Sequence, residues 1–200
     1  MGDVLLGPGK LYRAPVATAN PDESTVGYGT AWGGSWVDMG DFPEGSPIAL
    51  SLAEEVYKVY SERTTTARAV TRTRREGTVK GSLLDHSIAN LAVLLQGTAE
   101  TTAATGGGQK GYTEIPFGSQ SDVTLYKWGI EALRVDSANA NQPVRWFLHK
   151  GFIRMTGEIA YAKTKETAVG FEISIIGDDS QTAGEDLGIY QVVTAAATAT

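Results

Sequence analysis

A mainly β fold is what this sequence predicts, and three observations carry that expectation. β-branched and aromatic residues recur in short alternating blocks, turn-forming Gly, Pro, Asn and Asp punctuate them, and one segment alone carries a clear helical period. The first block, Val4 to Val16, holds Gly7-Pro8-Gly9 and then Lys10-Leu11-Tyr12-Arg13-Ala14-Pro15-Val16, a turn followed by a strand that Pro15 places near a sheet edge. Residues 17–35 have no period and read as a long loop tacked to the body by Tyr28 and Trp32. Trp36 to Gly40 reads as a short strand closed by a glycine, with Phe42-Pro43-Glu44-Gly45 as the next turn.

Residues 48–84 are the most informative. Two β-prone segments, Ile48 to Glu62 and Thr66 to Leu84, flank the polar Arg63-Thr64-Thr65, which predicts one long hairpin. Pairing centred near Thr64 and Thr65 sets Glu55 opposite Arg74 and Glu54 opposite Arg75, opposite charges that help fix register. Arms of this length, at about 3.4 Å per residue, extend well beyond a compact body. Their unpaired edges call for a strand from a neighbouring subunit.

A helix is expected over 86–97, with Asp85 as N-cap, Ile88, Leu91, Ala92 and Leu95 on one face, and Gly97 as the stop. Residues 98–112 read as a flexible Thr/Ala/Gly-rich loop. The segments 123–135, 144–161 and 167–176 read as body strands, with Val169, Phe171, Ile173 and Ile175 pointing one way and Glu172 and Ser174 the other. Asp136 to Gln142 and Ala162 to Glu166 are their connections, and 179–200 reads as a loose C-terminal arm. The whole, 1–200, is expected to be one domain.

Composition removes several function classes. The chain has no cysteine, so thiolate metal sites, disulfides and cysteine nucleophiles are excluded. A net charge of −6 argues against a tight grip on a phosphate backbone. No apolar run is long enough to span a membrane, and Met1-Gly2-Asp3 opens unlike a secretory signal, so the chain reads as cytosolic when made, with no membrane partner. His86 and His149 stand in no ligand spacing, and no G-x-S-x-G occurs. Gly106 to Gly111 lacks the spacing of a phosphate loop. Glu54-Glu55 alternate across a strand, and Asp178-Asp179 read as a solvated turn. No enzyme activity, cofactor or metal site is therefore expected.

Arg68, Arg72, Arg74 and Arg75 form the sharpest cluster, because on a regular strand the even-numbered three share one face and could meet phosphates. Glu54, Glu55 and Glu62 on the partner arm neutralise much of it, which favours ion pairs within and between subunits. Trp128, Trp146, Phe147 and Phe152 lack a surrounding basic stripe and read as packing residues rather than base-stacking ones.

The order of these pieces resembles the tail tube (major tail) proteins of long-tailed bacteriophages. The likeness rests on the block Gly7 to Val16, the Trp-Val-Asp-x-Gly strand Trp36 to Gly40, the long hairpin, one helix and closing strands. It implies a β-sandwich or barrel-like body with one flanking α-helix and a long β-hairpin arm. It also implies a structural virion protein that self-assembles into hexameric rings stacked as a hollow tube, put together in the host cytoplasm. The implied partners are copies of itself, a tape-measure protein, a tail terminator, and double-stranded DNA in transient passage without tight binding. The implied inter-subunit or lumen residues are Glu54, Glu55, Tyr57, Lys58, Tyr60, Arg68, Arg72, Arg74 and Arg75. The loop Asn20 to Ser35, the Gly106 region and the C-terminal arm would bridge rings. The alternatives are a carbohydrate- or surface-binding β-sandwich module using Trp32 and Trp36 as an exposed platform, a phage neck or capsid-decoration protein, and a small hydrolase with a dispersed site.

Overall fold

Eight strands of the chain join one antiparallel sheet, in the order β2-β1-β7-β8-β9-β4-β3, with β10 also paired to β8. The computed structural model describes residues 4–22, 26–62, 64–105, 107–118, 122–135, 142–161 and 166–193. The strands are β1 (Val4–Pro15), β2 (Val37–Asp38), β3 (Ala49–Ser61), β4 (Thr64–Leu83), β5 (Glu100–Thr102), β6 (Tyr112–Glu114), β7 (Tyr126–Val135), β8 (Gln142–Thr156), β9 (Val169–Ile175) and β10 (Gly188–Val192). A single helix among the described residues, α1 (Ile88–Leu94), completes a mainly β, sandwich-like architecture.

β8 is the axis of the body. Its first half pairs with β10 and its second half with β9, on the same side, while β7 runs along the other. Between these halves His149 and Lys150 together oppose Lys127 of β7, a bulge that breaks strict alternation. Trp146 and Leu148 before the bulge and Ile153 and Met155 after it therefore all join the larger core, despite their different parity. That core also takes the predicted stripe Val169, Phe171, Ile173 and Ile175 of β9, all buried. A second, aromatic cluster on the opposite face gathers Tyr12, Ala14, Trp32, Trp36 and Phe147. Trp128 and Phe147 are fully buried, as their reading as packing residues requires.

Several boundaries differ from the sequence expectation for identifiable reasons. Gly7-Pro8-Gly9 is an irregularity inside β1 rather than a turn before it, since pairing with β7 resumes at Lys10 after a register shift. The helix spans seven residues rather than 86–97, and Ser87, not Asp85, caps it, accepting from the Asn90 N–H at 3.3 Å. Asp85 instead accepts from the Ser87 N–H and the Asn90 side chain, at 2.9 and 3.2 Å. The stop is Gln96, at φ 55°, before Gly97 is reached. Gln96 then hooks the helix end to the body, donating to the Ile153 carbonyl at 2.9 Å and accepting from the Thr124 N–H at 2.9 Å.

Residues 98–112 do not form a featureless linker, because β5 pairs with β6 in a small separate ladder and Gly107 and Gly108 turn it at positive φ. Nor is 179–200 a loose arm throughout: Gly188–Val192 is fixed as β10 against β8, with Trp146 and Tyr190 rings 4.4 Å apart. Gly106, Arg63, the connections 136–141 and 162–165 and the end 194–200 lie outside the described residues.

Candidate functional site: the projecting arm

The hairpin β3–β4 is rooted in the sheet only at its base. β9 pairs with β4 from Gly77 to Leu83, and from Thr64 to Glu76 the sole strand neighbour of β4 among the described residues is β3, itself the last strand of the sheet. Those thirteen residues, at about 3.4 Å each, carry the arm on the order of 40 Å beyond its root. At the root, Gly77 lets Ile175 approach, since a Cβ there would lie 2.5 Å from the Ile175 Cδ1 and 3.2 Å from Leu52. A larger residue there would force the Ile175 and Leu52 side chains to shift.

The register read from charge is the register observed: Glu54 stands opposite Arg75 and Glu55 opposite Arg74. Beyond that point the ladder slips by one residue, because Val56 faces Arg72 and Thr73 is left over as a bulge, its hydroxyl donating to the Glu55 carbonyl at 3.1 Å. A second shift toward the tip brings Ser61 opposite Thr64, so the turn is tighter than a centre at Thr64 and Thr65 predicts.

The first bulge overturns the expected grouping of arginines. Arg72 and Arg75, not Arg72 and Arg74, share a face, and both converge on Glu54, at 3.3 and 3.0 Å. Arg74 is turned to the other face, where it pairs with Glu76. Arg68 lies exposed in the irregular stretch near the tip. On β3, Leu50 packs on the core, so alternation puts Leu52, Glu54, Val56, Lys58 and Tyr60 on the core-side face and Glu55, Tyr57 and Val59 on the opposite one. The candidate residues are thus brought onto one element but divided between its two faces.

What singles the arm out is exposed apolar surface. Leu52, Val56, Tyr57, Val59, Tyr60 and Val70 all stand about half open to solvent, Tyr57 at 63% and Tyr60 at 62%. Sequence reading selected Tyr57 and Tyr60 but not Val56, Val59 and Val70.

On the body, a buried polar node is the feature the sequence did not disclose. Glu131 of β7 and Arg145 of β8 face each other across the ladder with both side chains fully buried, 3.1 Å apart. Glu131 also accepts from the Trp32 indole N–H at 3.3 Å and the Gly29 N–H at 3.2 Å, and Arg145 donates to the Val26 carbonyl. Trp32 stacks on Tyr12 at 4.2 Å and lies against Gly129, where any Cβ would collide with its ring. Burial, followed by the charge of Glu131, pushes the Tyr12 phenol well above its ordinary range. The node pins the long loop 26–36 to the sheet, which is the tacking expected of Trp32. It also removes the sugar-platform alternative in the form stated, since Trp32 and Trp36 are 3% and 7% exposed.

Four other titratable groups with shifted pKa values lie on the body. His149 is buried at the β8 bulge, its pKa lowered by burial and then by the charge of Lys127. Lys127 is itself held below its ordinary value by burial, and its ammonium donates to the Thr18 carbonyl at 2.9 Å. Asp178 accepts from Gln181 and Ser180 within its own turn, the arrangement of a solvated loop, and these hydrogen bonds lower its pKa. Glu172 holds Lys80 and Arg154, whose hydrogen bonds lower its pKa too. Among the described residues no group of three His, Asp or Glu side chains is placed to hold a metal ion, and no helix is long and apolar enough to cross a membrane. No protein-family model matches this chain, and no curated protein is significantly similar to it in sequence.

Proposed function

We propose that this chain is a structural, self-assembling protein, a subunit of a phage tail tube whose hexameric rings stack into a hollow conduit for DNA. The observation that carries the reading is the arm: a two-stranded ribbon projecting past its sheet, edged by strands with no further neighbour among the described residues, and bearing half-exposed Val and Tyr side chains. A lone ribbon of this kind is marginal in water and is completed by strand addition.

Burying the exposed halves of six such side chains contributes on the order of 5–10 kcal/mol. That only matches the cost of immobilising one subunit against another, on the order of 4–15 kcal/mol. One arm contact is therefore marginal, and a closed ring, in which every subunit gives and receives an arm, is the stable product. Tape-measure and terminator proteins would act on that tube from inside and at its end. DNA passes it without tight binding, because Arg72, Arg74 and Arg75 are engaged by Glu54 and Glu76.

The test is electron microscopy of the full chain, fresh and concentrated, beside a deletion of residues 55–75. The expected result is rings or tubes from the full chain and none from the deletion. Monodisperse globules from the full chain at every concentration would refute the reading.

A further inference from the structure

The arm needs an acceptor, and one face of the body is shaped for it. Two cavities, of about 460 and 160 Å³, lie side by side near the root of the arm, with Leu50 and Trp146 in the walls of both, and together mark an apolar groove. Ile130 and Ala132 line the larger part, and Leu148 and Tyr190 the smaller. The smaller cavity lies between β10 and the arm's root, and β8 is the only strand to which β10 is paired among the described residues. An apolar trough beside an edge strand is a seat for an added ribbon.

Charge identifies the occupant. Glu44 stands on the wall of the larger cavity and Asp186 on that of the smaller, where Arg75 also lines the wall but is engaged by Glu54. The loop 176–187, which leads into β10, carries Asp178, Asp179, Glu185 and Asp186 and no basic residue. The distal arm has the opposite balance: residues 56–73 hold Lys58, Arg63 and Arg68 against Glu62, besides Arg72, which Glu54 engages. The core-side face of that distal segment combines Val56, Tyr60 and Val70 with Lys58, apolar groups interleaved with positive charge, whereas the other face offers uncharged Tyr57 and Val59. A chain of net charge −6 thus concentrates its positive charge on the one element that leaves the body.

We infer that this groove, walled by Leu50, Trp146 and Tyr190 and rimmed by Glu44 and Asp186, receives the distal arm of a second copy. Val56, Tyr60 and Val70 enter the trough, and Lys58 and Arg68 meet the two carboxylates. The contact is heterologous, arm to groove, so it propagates around a ring instead of closing as a twofold dimer. This rests on the assembly reading above and specifies where the neighbour binds.

Because the chain has no cysteine, a single engineered pair reports the contact cleanly. Lys58→Cys and Asp186→Cys chains, mixed at assembling concentration and oxidised, are expected to give a cross-linked dimer that neither variant forms alone. The double reversal Glu44→Lys with Asp186→Lys is expected to raise the concentration needed for assembly by about tenfold or more. Mixing it with a Lys58→Glu, Arg68→Glu chain restores assembly, since each arm then finds a groove of opposite charge. Full assembly by the groove reversal, with no cross-link, while deletion of residues 55–75 abolishes assembly, overturns this acceptor and leaves the arm reading standing. Assembly that survives the deletion, or a wild-type monomer at every concentration, overturns both.

Discussion

Glu131–Arg145 on the body and Glu54–Arg75 on the arm are the same chemical pair in the same cross-strand relation, each carboxylate directly opposite its guanidinium. Their surroundings are opposite. The body pair is fully buried and roofed by Trp32, while on the arm Glu54 is 34% and Arg75 41% exposed. The difference teaches that one motif serves two ends. In the body it is part of a buried polar network that fixes a loop. On the arm it sets register in water and leaves the surrounding apolar side chains uncovered.

The comparison breaks most severely at the buried end. Glu131→Ala leaves Arg145 charged and without its counter-ion in the interior, and is expected to cost about 3–5 kcal/mol of stability by urea unfolding. Gly129→Val drives a side chain into the seat of Trp32 and is expected to cost about 1–3 kcal/mol, with red-shifted tryptophan emission as the loop 26–36 lifts.

Body stability also depends on pH through His149. Burial holds its folded pKa below the ordinary 6.5, with Lys127 adding to the depression and Asp178 and Glu185 opposing it. The unfolded chain therefore binds more protons on acidification. The contribution of the neutral imidazole is whole above about pH 6.5 and declines as pH falls toward the folded-state value. Unfolding midpoints followed from pH 8 to 5 should show this decline, and His149→Gln should flatten it.

At the exposed end, Glu54→Ala is expected to cost the isolated chain less than about 1 kcal/mol, because its partners are solvated. It should nonetheless slow assembly, which light scattering would follow, since the arm loses the carboxylate that holds Arg72 and Arg75 to one register.

The sequence made the arm legible for the reason that it remains solvated: register there is written in local, opposite charges, and Glu54–Arg75 and Glu55–Arg74 stand as the pattern predicts. The bulges at Thr73 and at His149-Lys150 were not legible, because an extra residue leaves no compositional mark while reversing every side chain beyond it. The buried node escaped for another reason. Its members are about a hundred positions apart, Trp32 against Glu131, and nothing in a charged residue within a strand announces that a distant tryptophan will cover it. Gly129 was the available signal, a glycine inside a strand marking a close approach. The helix boundaries shifted because Ser87 and Gln96 act as cap and stop ahead of Asp85 and Gly97.

The central claim is that the solvated arm, not the body, drives association. Sedimentation velocity of the full chain across a concentration series, beside the deletion of residues 55–75, tests it most directly, with circular dichroism confirming that the deleted chain keeps its β-sheet body. The account predicts large assemblies of the full chain and a folded monomer of the deletion at every concentration. Assemblies of equal size from both chains would contradict it.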